Sequence, residues 1–159
     1  MYLSWSYQKR RQQDASEKKY PFSGGVCMLH GRKPDVGEML FGNVRIRQVK
    51  VNAESGVLML RVIYDEREYV DVVYHDVIYT QLDERCINAS IALAQRTDAN
   101  DLKHARHSGS INRMMKDCQR SGPFVLEEME SRGYHFYTHY AGREEEFLVI
   151  AKEVSIAQR

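Results

Sequence analysis

Residues 37–80, GEMLFGNVRIRQVKVNAESGVLMLRVIYDEREYVDVVYHDVIYT, decide the fold. Within 39–51, Val44 and Ile46 alternate with Arg45 and Arg47, after which Val49 and Val51 fall on the opposite parity. A period of two marks a half-buried strand, and a change of phase inside it predicts a bulge near Arg47–Gln48. The polar, Gly-ended run Asn52–Gly56 suits a hairpin loop. Residues 57–64 (VLMLRVIY) are apolar almost throughout, so both faces of that strand are expected to be covered. Asp65–Glu68 makes the next turn, and 69–79 reads as a third strand interrupted at His75-Asp76. Sequential strands with short links pair as antiparallel neighbours. Val26–Leu29, between Gly24-Gly25 and the turn 31–35, adds a candidate strand.

Beyond this stretch the period changes. Residues 86–96, with Ile87, Ala89, Ile91, Ala92 and Ala94, suit a short helix laid on the sheet, opened by Asp83 and Glu84. Thr97–Asn100 is a break with cap chemistry, and a helical piece 101–107 follows it. Ser110 caps a helix 111–120 whose Ile111, Met114, Met115 and Cys118 share one side. Gly122-Pro123 opens a further helix 124–132, ended by Gly133 in a left-handed cap. Residues 134–140 and 146–154 form a hairpin around Ala141–Arg143.

The expected architecture is α+β: an N-terminal antiparallel β-meander or small, partly open barrel, central short helices, and a C-terminal β-hairpin. Residues 1–20 form a flexible basic and aromatic arm, and 21–159 a single domain with a sub-boundary, if any, at 82–86. The order of the last two helices and the hairpin resembles a winged-helix module, which implies a DNA-reading helix at 124–132. That helix carries Glu127, Glu128 and Glu130, and the wing Glu144, Glu145 and Glu146, which phosphates would repel.

A chain of 159 residues can bury a core of its own. Its formal charge of +1 points to no class of partner. Three cysteines, Cys27, Cys86 and Cys118, are odd in number and lack a CxxC spacing, which favours a reducing compartment over a disulfide framework. No apolar run approaches the ~18–20 residues that cross a bilayer. A cytoplasmic protein without membrane contact is therefore expected, and Asn88-Ala-Ser90 is taken as a chance glycosylation match.

Metal binding has His104 and His107, three apart on a helix, with Cys118 beyond them and no fourth ligand at a telling spacing. His135 and His139 on a strand lie ~13 Å apart, too far for one ion. No metal and no cofactor is expected. No GxSxG elbow or phosphate loop is present, and Cys118 sits among apolar neighbours where thiols are inert packing. Nucleic-acid binding has the most material. Lys9, Arg10 and Arg11 accompany aromatics in the arm, Arg45 and Arg47 share a strand face, and Lys103, Arg106, Arg113, Lys116 and Arg120 line the helical region.

These observations predict a small non-catalytic binding protein, an adaptor or regulator, with nucleic acid as its ligand and RNA before DNA. Two other readings stand beside it. One is protein–protein assembly or self-association through the acidic Glu127, Glu128 and Glu130. The other is a small hydrolase or metal-dependent enzyme using His104 and His107.

Overall fold

Strand β1 (Met39–Asn52) serves two partners in turn: its first half pairs with β5 (Ser90–Thr97) and its second with β2 (Val57–Tyr64). The computed structural model describes residues 34–118, 125–142 and 145–158. The expected arm 1–20 and the strand 26–29 lie outside the described residues. The remaining strands are β3 (Glu68–His75), β4 (Tyr79–Thr80), β6 (His135–Ala141), β7 (Glu145–Ala151) and β8 (Glu153–Gln158). They form one open antiparallel sheet of eight strands in the order β4-β7-β6-β5-β1-β2-β3-β8. Among the described residues three short helices, α1 (Ala99–Leu102), α2 (Ser108–Asp117) and α3 (Val125–Ser131), accompany the sheet in an α+β fold.

The sheet is curled. Tyr74 on β3 and His139 on β6 are four places apart in the strand order, ~19 Å if the sheet were flat. Their side chains nevertheless meet, with the Tyr74 hydroxyl 2.6 Å from His139 Nε2. Chain connectivity follows the same curl, since Lys152 alone separates β7 from β8 at the other end of the order. Two features of β1 supply the coiling. Its pairing to β2 passes from Ile46↔Val62 to Gln48↔Arg61, leaving Arg47 as the extra residue of a bulge where the phase change predicts one. Asn43 is left-handed (φ 56), and Phe41 and Val44 on either side of it both enter the main core.

Two cores result. The first lies inside the curl and takes Leu58, Leu60 and Val62 of β2, Val70, Val72 and Tyr74 of β3, and Tyr137, Val149, Val154 and Ile156. The second lies between the sheet and the helices, where Leu102, Met114, Leu126 and Met129 meet Phe136, Leu148 and Ile150. Strands β6 and β7 feed both by strict alternation, as their period of two requires. The amphipathic side expected of α2 is present: Met114 is buried, with Ile111, Met115 and Cys118 half-buried against the same cluster.

Several expectations are corrected. The helix expected over 86–96 is a 3-10 turn (Glu84–Cys86) followed by strand β5. Ile91, Ala94 and Thr97 are the buried residues of that strand, spaced by three because its pairing to β1 is irregular, so its burial imitates a helix. Ser110 is not the cap of α2, which begins at Ser108 after a 3-10 turn (Ala105–His107). Leu82 and Cys86, at the sub-boundary placed at 82–86, belong to the main core. The hairpin of the winged-helix likeness is not free-standing: β6 pairs with β5 and β7 with β4. The single strand expected over 146–154 is two, broken at Lys152: β7 ends at Ala151, and β8 pairs along β3. Gly133 caps α3 with φ 93, as expected.

Gly42 marks a close approach of β1 and β5. A Cβ there would stand 2.8 Å from the Ala92 carbonyl oxygen, backbone that cannot swing aside. Gly42→Ala is expected to cost about 1–3 kcal/mol through forced strand separation, read as a lower urea midpoint. An unchanged midpoint refutes the close packing.

Candidate functional site

The most polar enclosure in the described residues lies where the helical layer meets β7. His107 ends the 3-10 turn and is fully buried, and Glu146 on β7 is 9% exposed. His107 Nδ1 is 3.0 Å from both Glu146 carboxylate oxygens. The Ser110 hydroxyl donates to Glu146 Oε2 at 2.9 Å and to the His107 carbonyl at 3.1 Å. Arg106 Nε donates to His107 Nε2 at 3.1 Å, while its Nη2 reaches both oxygens of Asp101 at 2.9 and 3.0 Å. A guanidinium only donates, so Nε2 accepts and the ring proton sits on Nδ1, facing Glu146.

Asp101 closes the outer side, with Oδ2 3.3 Å from His107 Nε2. Burial pushes its carboxyl up, but the Thr97 hydroxyl and the Arg106 guanidinium outweigh burial and hold it below the usual carboxylate range. Arg113 braces the network from outside, donating to the Glu146 carbonyl at 2.8 Å and to Gln81 Oε1 at 3.0 Å. Gln81 Oε1 also accepts the Leu148 amide at 2.8 Å.

This arrangement contains the residue types of acid–base chemistry with every group already engaged. Both ring nitrogens of His107 have protein partners and the Ser110 hydroxyl bonds a carboxylate rather than the imidazole. A nucleophile–base pair needs the reverse. The network fastens the helices to the sheet.

His104 stands apart from it, exposed at the start of the 3-10 turn, so the two histidines of the enzyme reading do not share a pocket. Among the described residues no group of three or more His, Cys, Asp or Glu side chains is arranged to hold a metal ion.

A second buried histidine lies inside the curl. His139 Nδ1 donates to the Phe147 carbonyl at 3.0 Å and Nε2 accepts from the Tyr74 hydroxyl at 2.6 Å. Burial lowers its pKa to about 4. Burial raises those of Tyr74 and Tyr137, whose rings lie against each other at 5.4 Å.

Among the described residues, most of the expected helical cations are engaged within the protein. Lys103 is ion-paired with Glu127, Arg106 with Asp101, and Arg113 is turned onto β7. Lys116 is exposed on α2, which packs on β7, three places from β1 in the strand order. Arg45 and Arg47 lie on β1, Arg45 with a 3.7 Å ion pair to Glu66. Lys9, Arg10, Arg11 and Arg120 lie outside the described residues.

The acidic set is largely used within the protein. Glu127 pairs with Lys103, Glu128 accepts from Arg132 at 2.8 Å, and Glu130 accepts the Ala99 amide at 3.2 Å. Glu146, expected as a surface charge of a wing, is the buried partner of His107.

Sequence reasoning missed Glu146 and Ser110 because a helix–strand contact carries no local spacing. It passed over Tyr69 and Arg61, which only the cross-strand register brings beside Arg45. No family model matches the chain, and neither does a curated protein or a solved structure. No helix among the described residues is long and apolar enough to cross a membrane.

Proposed function

We propose that this α+β protein is a non-catalytic binding module for nucleic acid, whose curled sheet acts as a partly open barrel with a cationic strip on the outer wall of β1. One observation carries the reading. Arg47 and Lys50 are exposed and enter no ion pair among the described residues, whereas Arg61, Arg85, Lys103, Arg106 and Arg132 each hold a carboxylate. The bulge turns Arg47 outward. Arg45 joins the strip, because its long, exposed contact with Glu66 is worth little and yields readily to a phosphate. From Arg45 to Lys50 the strand runs ~15 Å. Lys116 and Arg67 are exposed without an ion pair among the described residues as well, but Arg45, Arg47 and Lys50 lie along one strand, and the engaged state of His107 supports a binding role over a catalytic one.

Counterion release makes such binding salt-dependent, each neutralised phosphate contributing a log–log slope of about −0.7 on a single strand. Binding of a labelled oligonucleotide is expected to weaken steeply between low and physiological salt. The triple variant Arg45→Ala, Arg47→Ala, Lys50→Ala should flatten the slope by about two units, while Lys116→Ala leaves it unchanged. Salt-independent binding, or a slope that responds to Lys116 instead, overturns the proposal.

A further inference from the structure

We propose that the strip selects single strands, because unpaired bases stack on Tyr69 and Arg61 beside it. This rests on the nucleic-acid reading above and adds the residues that would take the bases. The β1–β2–β3 register places Arg45 opposite Ile63 and Ile63 opposite Tyr69, so these three side chains form one row on one face of the sheet. The adjoining row is Gln48, Arg61 and Asp71.

Tyr69 is 39% exposed and is the one aromatic among the exposed large hydrophobic side chains of the described residues. Ile63 is buried between it and Arg45, giving the row an apolar floor. Arg61 is held flat by a forked contact, Nε to Asp71 Oδ1 at 2.9 Å and Nη2 to Oδ2 at 3.3 Å. The fork cancels the Asp71 charge and fixes the guanidinium plane, leaving a face on which a base can lie.

An open depression of about 320 Å³ adjoins the row, lined among others by Arg45, Ile63, Tyr64, Asn43 and Ser90. Asp65 and Glu66 also line it. Their carboxylates repel phosphate but accept base amino groups, which orients a strand with its backbone over Arg45, Arg47 and Lys50 and its bases toward β3. Tyr69 lies two strand spacings from Arg45, ~10 Å, a distance one nucleotide covers from phosphate to base. A duplex shields its base faces by stacking, so neither Tyr69 nor the Arg61 plane has anything to lie against.

The test uses the full chain and fluorescence anisotropy with labelled single-stranded RNA and DNA oligonucleotides and a blunt duplex of matched length. Single strands are expected to bind at least tenfold more tightly than the duplex. Tyr69→Ala should weaken single-strand binding between about fivefold and a hundredfold with the salt slope unchanged, and Tyr69→Phe should retain it. Equal affinity for duplex, or a silent Tyr69→Ala in a protein whose slope still responds to Arg47→Ala and Lys50→Ala, overturns stacking and leaves the nucleic-acid reading standing. Equal competition by polyglutamate also overturns it, making the face a general polyanion contact. Absence of salt-dependent binding to any oligonucleotide removes the nucleic-acid reading itself.

Discussion

Glu146→Ala is expected to lower stability by about 1–3 kcal/mol, the range for leaving a buried donor without its acceptor. The loss is large because Glu146 serves two buried donors at once, the Nδ1–H of His107 and the hydroxyl of Ser110. The His107 Nδ1–H finds no substitute acceptor among the apolar side chains of this layer, whereas the Ser110 hydroxyl keeps the His107 carbonyl. Arg113 would not compensate, since it holds the Glu146 backbone carbonyl, which alanine keeps. Glu146→Gln should cost less, because an amide oxygen still accepts one of the two bonds. His107→Ala in the Glu146→Ala background should add little, since the two residues act as one unit. Urea denaturation of the wild type, Glu146→Ala, Glu146→Gln, His107→Ala and the double variant checks this. Additive losses would show that His107 and Glu146 are independent, and a loss under 1 kcal/mol would show that the network contributes nothing to holding the helices on β7.

The same network marks where reading the sequence stops. Residues 39–80 were legible because Val44, Ile46 and Val49 report burial directly, and the reversal of their parity is the bulge itself. Residues 90–97 were not. Alanine-rich SIALAQRT has helical propensity, and its buried positions recur every three residues once Asn43 and the irregular pairing distort the ladder. The pairing with β1 is also tight there, since a Cβ on Gly42 would stand 2.8 Å from the Ala92 carbonyl oxygen. Tertiary contact overrode propensity.

Charge patterning failed in a related way. Lys103, Arg106, Glu127, Glu128 and Glu130 look like two opposed surfaces in sequence, yet in space Lys103 meets Glu127 and the rest find partners close by. What remains for a partner is set by subtraction, after internal pairs are removed, and that subtraction needs coordinates. It moves the candidate interface from the helices to β1, where Arg45 and Arg47 were already visible as an outward-facing pair and Tyr69 was not.

The second large effect is a dependence of stability on pH arising from His139. Burial depresses its folded-state pKa to about 4 from the ordinary 6.5, so between these values the unfolded chain binds a proton that the folded chain refuses. Unfolding then takes up protons, and stability rises with pH across the window. The contribution is complete above about pH 6.5 and is lost as the pH falls toward 4, at ~1.4 kcal/mol per unit within the window. The whole amounts to about 3 kcal/mol. The geometry gives the mechanism. A second proton would have to sit on Nε2, which already accepts the Tyr74 hydroxyl, inside a core with no solvent to stabilise the cation. Burial also lowers the pKa of half-buried His75, in the same direction. His139→Gln separates the two, because it can still donate to the Phe147 carbonyl but cannot titrate. It should lower stability at pH 7 by about 1–2 kcal/mol and remove most of the slope between pH 6.5 and 4.5. A slope that survives in His139→Gln would assign the acid sensitivity to His75 and the carboxylates, and an imidazole resonance of His139 titrating near 6.5 would show that the interior of the curl is wet.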